Sequence, residues 1–340
     1  MVHHSPTRRR LLTLAKIALA VGILGFLIVR IQQNEGFWRL YNDPKDWAAL
    51  LVAQGLVLVA YSLNFVRWFL LVRGLRIAFH LRDAFRLGSL GFMLNQVSPG
   101  SIGGDLFKAV FIAKEQPGQR TEAVATVLID RIVGLYAMLL VASLGLAFAG
   151  EPLDSSQMLL TMKTIVWTAA AGGTFALAWL MTPLATGTAI RSLADRLPLV
   201  GHTAARLIDA LELYRMHKWF LISAIGLALV THGLLITAFW SISRGLPVTG
   251  PTFTQHAVIV PLGLVVGALP ATPGGLGEAE LMLEYLYFEC GAAKGDGTIV
   301  ALAYRAMTYV VAALGACYYL SARRSVDRLL VEAEELAEEL

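Results

Sequence analysis

Long apolar runs alternate along the chain with short polar segments, and the runs have the length that crosses a bilayer. Six stretches, 11–31, 48–72, 121–149, 159–183, 219–243 and 296–321, hold few charged side chains. A hydrocarbon core about 30 Å thick needs about 20 helical residues, so each stretch predicts a full transmembrane helix. The first follows Arg8, Arg9 and Arg10. It is too long for the apolar region of a signal peptide and no small-residue cleavage site follows it, so it reads as a span.

Two further stretches depart from this pattern. Residues 82–115 carry Arg82, Asp83, Arg86, Asp105, Lys108 and Lys114 around Ser98-Pro99-Gly100-Ser101-Ile102-Gly103-Gly104. Residues 253–290 hold an apolar run broken by Pro270-Ala271-Thr272-Pro273-Gly274-Gly275-Leu276-Gly277. Proline removes an amide donor and glycine weakens a helix, so each stretch predicts two half-length helices meeting at a break. That is the pattern of a re-entrant hairpin, whose open backbone at membrane depth must be buried in protein or line a cavity. The alternative is two short spans joined by an ordinary loop.

One spacing relates the two halves. A shift of 174 residues carries Pro99-Gly100 onto Pro273-Gly274, Leu128 onto Leu302 and Arg131 onto Arg305, and it lays 48–72 close to 219–243. The chain thus divides into repeat 1 (48–149, break at 98–104) and repeat 2 (219–321, break at 270–277). Three full spans separate the starts of the copies, which gives them opposite orientations. The predicted fold is an all-α polytopic membrane protein, a single integral membrane domain over 1–340. It has about six full transmembrane helices plus two re-entrant helical hairpins in an inverted repeat. Inverted repeats with broken helices are a transporter architecture, and the breaks mark its substrate site.

Composition agrees. The chain has 340 residues, 56% hydrophobic and 15% charged, with a mean hydropathy of +0.63. A soluble domain carries nearer a quarter charged residues. The net charge of +4 does not point to nucleic acid, because Lys and Arg gather beside the apolar runs. One set of segments holds Arg8–Arg10, then Arg73, Arg76, Arg82, Arg86, Lys108, Lys114 and Arg120, then Arg191, Arg196, Arg206, Arg215 and Lys218, then Arg323, Arg324 and Arg328. The opposite loops are poorer, except the first, where Arg30, Arg39 and Lys45 sit among Glu35, Asp43 and Asp46. Basic segments stay in the cytoplasm, which places both termini there. Residues 187–218 predict an amphipathic linker with Leu193, Leu197, Leu207, Ile208 and Leu211 on its apolar face, and 322–340 a short acidic tail helix.

Candidate chemistry centres on the breaks. Arg131 and Arg305 lie about nine or ten residues into their spans, hence about 15 Å deep. An arginine there costs at least about 2.5–3.5 kcal/mol unless it meets a partner, a cavity or water. Either each guanidinium ties down hairpin carbonyls, with Asp130 neutralising Arg131, or its planar fork grips a phosphate. Gly100, Gly103, Gly104, Gly274, Gly275 and Gly277 let backbone approach a ligand, and the half-helices that follow can turn N–H groups toward an anion. Asp105, Glu278 and Glu280 sit in first turns, either favouring the helix dipole or titrating at membrane depth as proton-coupling groups. His232 and His256 are relay candidates or packed polar residues. Arg67, near a helix end, reads as snorkelling, and Asn95 and Gln96 as satisfying exposed carbonyls.

Cys290 and Cys317 lack metal or redox spacing. The sequence has no nucleotide-binding fingerprint and no His/Cys cluster, so no cofactor and no metal are expected. No nucleophile–base pattern stands out either, which argues against an enzyme.

Three segments carry a family resemblance: Asn95-Gln96-Val97-Ser98-Pro99-Gly100-Ser101-Ile102-Gly103-Gly104-Asp105, Glu122-Ala123-Val124-Ala125-Thr126-Val127-Leu128-Ile129-Asp130-Arg131, and Pro273-Gly274-Gly275-Leu276-Gly277-Glu278. In this order they resemble the transmembrane region of lysylphosphatidylglycerol synthase/flippase proteins, over nearly the whole chain. The resemblance implies movement of aminoacylated or other anionic phospholipids between leaflets, with Asp105, Asp130, Arg131 and Arg305 at motif positions. Bifunctional members add a cytoplasmic domain that transfers an amino acid from tRNA to phosphatidylglycerol. Here the sequence ends at Leu340 after the acidic helix, which implies the translocating part alone.

The expected function is translocation of an anionic phospholipid or lipid-linked phosphate in the bacterial inner membrane, with membrane lipids as partners. One alternative is a proton-coupled carrier of a small anionic solute, which predicts a closed aqueous cavity in place of a groove open to lipid. Another is a non-transporting subunit supporting a glycosyltransferase or lipid-modifying enzyme. A homo-oligomer fits any of these.

Overall fold

A computed structural model of the chain describes residues 35–98, 103–116, 118–148, 157–185, 201–268 and 276–339. Helices form wherever apolar runs lack Pro and Gly clusters, and no strand occurs among the described residues. In order they are α1 (Glu35–Asn42), α2 (Trp47–Gly74), α3 (Leu81–Val97), α4 (Gly103–Glu115), α5 (Arg120–Phe148), α6 (Gln157–Leu180), α7 (Gly201–Met216), α8 (Lys218–Gly245), α9 (Phe253–Gly267), α10 (Glu278–Glu289) and α11 (Asp296–Glu339). Four are long and apolar enough to cross a membrane: α2, α5, α8 and the Asp296–Tyr318 part of α11. The chain is therefore a multi-pass helical membrane protein. The predicted span 159–183 corresponds to α6, which is 24 residues long and is not among these four. The predicted span 11–31 lies outside the described residues, as do Pro99 to Ile102, residues 150–156, residues 187–200 and Pro270 to Gly275.

Local signals explain several boundaries. The Asp46 carboxylate accepts from Ala48 N and Ala49 N (3.0 and 3.1 Å) and starts α2. Thr252 and Gln255 form a reciprocal capping box at α9. Gly277, with φ of +91°, turns the chain into α10 in a conformation that favours glycine. The tail predicted as a separate helix instead continues α11 without interruption, because neither Gly nor Pro occurs between Gly315 and Glu339.

Helices α2 and α8 make the most extensive contact in the molecule and run antiparallel. Asp46 at the start of α2 donates its amide to Gly245 O at the end of α8 (3.0 Å), while Gly74 at the end of α2 lies against Phe220 at the start of α8. The remaining contacts come in matched pairs. Helix α3 packs on α4 and α9 on α10; α4 packs on α5 and α10 on α11. The exchange is also crossed, since α9 lies on α5 and α3 on α11. Glycine permits both crossings, Gly145 of α5 against the Ala257 backbone and Gly315 of α11 against the Ser89 backbone.

Both broken stretches fold back on themselves. Gln116, just beyond α4, donates its side-chain N–H to Ala78 O, just before α3 (3.4 Å). In the second stretch Tyr287 of α10 meets His256 of α9 (2.7 Å). The four arms have 17, 13, 15 and 12 residues. Each is about 18–26 Å long, short of a full crossing.

In the predicted linker, α7 packs through Ile208, Ala210 and Tyr214. The Tyr214 hydroxyl donates to Leu71 O (2.7 Å); burial, and secondarily the charge of Asp130, push this phenol up.

Candidate functional site

Where the two hairpins face one another they enclose a cavity of about 540 Å³. Both halves line it in corresponding ways. The first arms contribute Asn95 and Gln96 (α3) and Leu264 and Val265 (α9); the second arms contribute Lys108 (α4) and Glu280 and Leu283 (α10). Helices α5 and α11 add Asp130 with Arg131, and Tyr304 with Arg305. Arg67 and Tyr61 enter from α2 and His232 from α8. Leu135 also lines the cavity and is 44% exposed.

The arms meet closely enough to fix this geometry. A Cβ on Gly104 would stand 1.7 Å from Gly91 O, so only glycine lets α4 lie against α3 there. In the second hairpin Ala279 fills the equivalent contact with Gly267. The amides at the starts of α4 and α10 are occupied from within: Gly103 N donates to Ser98 Oγ (2.9 Å), Gly104 N to Asn95 Oδ1 (2.7 Å) and Gly277 N to Glu280 Oε2 (2.8 Å). Hence Asn95 serves an amide, where the sequence suggested a carbonyl, and these three glycine amides are not presented to a ligand. Gly100, Gly274 and Gly275 lie outside the described residues.

Side-chain charges are paired across helices. Each arginine of the repeat donates Nε to a first-turn carboxylate of the preceding half-helix, Arg131 to Asp105 and Arg305 to Glu280. Lys108 Nζ also reaches Asp105 (2.7 Å) and sits 5.3 Å from the centre of the Trp68 ring. Asp130 is not the partner of Arg131: its side chain accepts from Arg67 Nε (2.7 Å), and both groups are buried. Arg67 therefore does not snorkel. It turns inward about 10 Å before the end of α2, where a carboxylate compensates its charge.

The remaining candidates separate. His232 lines the cavity and its Nε2–H donates to Gly134 O (3.1 Å). His256 does not line it; the ring is buried between Thr252 O (2.9 Å) and the Tyr287 hydroxyl. Both oxygens of Glu278 are buried without a hydrogen-bond partner, outside the cavity lining. Lys108 and the Tyr61–Tyr304 hydroxyl pair (3.0 Å) are cavity residues that sequence reasoning did not single out, and Arg67 is one that it placed at the membrane surface. Lys108 had a signal, standing three residues after Asp105 on the same helical face. Arg67 had none, because its partner is 63 residues away.

Arg67, Lys108, Arg131 and Arg305 line the cavity with Asp130 and Glu280, while Asp105 is not in the lining and pairs with Lys108 and Arg131 from behind it; counted together, the cations exceed the carboxylates by one among the described residues. No group of His, Cys, Asp and Glu suited to a metal ion occurs among those residues. Among curated proteins and among solved structures, none matches the chain. Residues 13–315 match the family model described as the lysylphosphatidylglycerol synthase TM region, and the chain belongs to that family.

Proposed function

We propose that the protein translocates an anionic phospholipid or lipid-linked phosphate between leaflets. The observation that carries this reading is the cation-rich cavity between the hairpins, lined by Arg67, Lys108, Arg131 and Arg305. Moving a bare phosphate through hydrocarbon costs many kcal/mol, so a catalyst needs a polar seat that lipid can enter sideways. Family membership is consistent with a lipid-related role in a membrane. In this reading the cavity opens sideways to lipid, which a carrier of a small soluble anion would not need.

In this reading α3–α4 and α9–α10 are re-entrant hairpins entering from opposite sides, and the antiparallel α2 and α8 begin two inverted repeats. A lipid headgroup enters between helices, binds between the hairpin tips and leaves toward the other leaflet as the repeats rock. The chain acts as a transporter, not an enzyme, in a bacterial inner membrane with both termini cytoplasmic. The test is reconstitution into liposomes with a labelled anionic phospholipid. Arg131→Ala and Arg305→Ala should each slow its movement between leaflets. Movement at the parent rate by both variants would sink the mechanism.

A further inference from the structure

The two hairpins match in backbone but not in charge. A shift of 175 residues lays Gly104 on Ala279, the two small residues that touch the opposite arm, and Asp105 on Glu280, the two carboxylates that hold the arginines. The same shift lays Lys108 on Leu283, and both line the cavity. In the first hairpin one carboxylate therefore faces two cations. In the second, Glu280 faces Arg305 and completes its bonding with the Gly277 amide. Among the described cavity residues the surplus of positive charge sits at the first.

We infer that the phosphate is seated at Lys108 and Arg131 in the first hairpin, and that Lys108 determines selectivity for lipids of net negative charge over zwitterionic ones. This rests on the translocation reading above. The physical reason is charge balance in a region of low dielectric. A phosphodiester brings one negative charge and the first hairpin holds one positive charge in excess, so the occupied seat is neutral. A zwitterionic headgroup brings a second, positive charge into the same space and leaves the excess uncompensated. Asp105 positions the two cations, and the Trp68 ring lies beside the lysine ammonium. The second hairpin, already neutral at Glu280–Arg305, closes the opposite wall.

The experiment compares the parent with Lys108→Met, Lys108→Arg and Leu283→Lys in vesicles of phosphatidylglycerol and phosphatidylcholine, with either lipid labelled. Its readout is the ratio of the two translocation rates. Lys108→Met should lower the phosphatidylglycerol preference by about tenfold or more, since one buried charge is removed. Lys108→Arg should keep the preference and Leu283→Lys should raise it. An unchanged ratio in Lys108→Met overturns the inference; if that variant does not fold, an unchanged ratio in Leu283→Lys does so. Retention of each lipid by the purified proteins in detergent, measured by native mass spectrometry, separates this from the broader reading. If the parent moves neither lipid, translocation is wrong, and equal retention of phosphatidylglycerol by parent and Lys108→Met overturns the seat as well. Inorganic phosphate that binds the parent, is lost in Lys108→Met and displaces no lipid would make the seat one for a soluble anion and overturn the lipid assignment.

Discussion

In the first hairpin Asp105 accepts from Lys108 and Arg131, and beside it Arg67 and Asp130 form a second buried pair. In the second hairpin Glu280 accepts from Arg305 alone among the described cations, and the positions 174 residues on from Arg67 and Asp130 are Ser241 and Tyr304. Tyr304 bonds across the cavity to Tyr61 where its counterpart carries a charge. The two halves share one helix plan and one arginine each, yet one wall of the cavity is ionic and the other largely neutral. A repeat can thus preserve a scaffold, which depends on backbone approach and apolar burial, while its copies diverge in electrostatics. Charge on one side is what gives a symmetric cavity a preferred place for an anion.

Removing one member of the ionic wall should have the largest effect. Asp130→Ala leaves the Arg67 guanidinium buried without its carboxylate and should cost about 3–5 kcal/mol, read as a fall in the unfolding midpoint in detergent. Pairing Arg67→Ser with Asp130→Tyr, which copies the second half, should recover a large part of that loss. If the single variant melts like the parent, the ion pair is not what distinguishes the first half.

A smaller effect should follow at the hairpin crossings. Gly104→Ala forces a methyl against Gly91 O and should cost about 1–3 kcal/mol by overpacking. Gly267→Ala meets the Ala279 methyl instead and should cost less, because side-chain contacts relax more readily than backbone. Equal losses at the two sites would erase this difference between the hairpins. The smallest effect should come from Gly55→Ala on the exposed face of α2, where nothing lies within 4 Å of the new methyl. Helix propensity alone should give a gain of about 1 kcal/mol or less there. A loss as large as that of Gly104→Ala would show that the hairpin effect is not steric.

Much of the fold is legible from residue order. The spans are visible in the apolar runs, and four of them return as long apolar helices with ends within a few residues of the expected ones. The half-helices are visible too, since Pro and Gly interrupt a helix wherever they fall. The Arg131–Arg305 relation is visible because it is a spacing. The site is legible only in part. Arg131, Arg305, Asp130, Glu280 and His232 gather at one cavity, whereas His256 serves as a packed polar residue beside Tyr287. Gly103, Gly104 and Gly277 do shape the breaks, but through close approach and internal hydrogen bonds.

The sequence by itself determined the membrane class and the two broken stretches, because hydrophobic length and helix interruption are properties of neighbouring residues. Only the tertiary structure decided which charge meets which. Asp130 is adjacent to Arg131 in sequence yet pairs with Arg67, because successive residues on a helix point about 100° apart and the neighbour that compensates a buried charge comes from whichever helix packs on that face. For the same reason the surplus at Lys108 is invisible in a count of charges. It exists only once α5 brings Arg131 to the carboxylate that Lys108, three residues along the same helix, already meets.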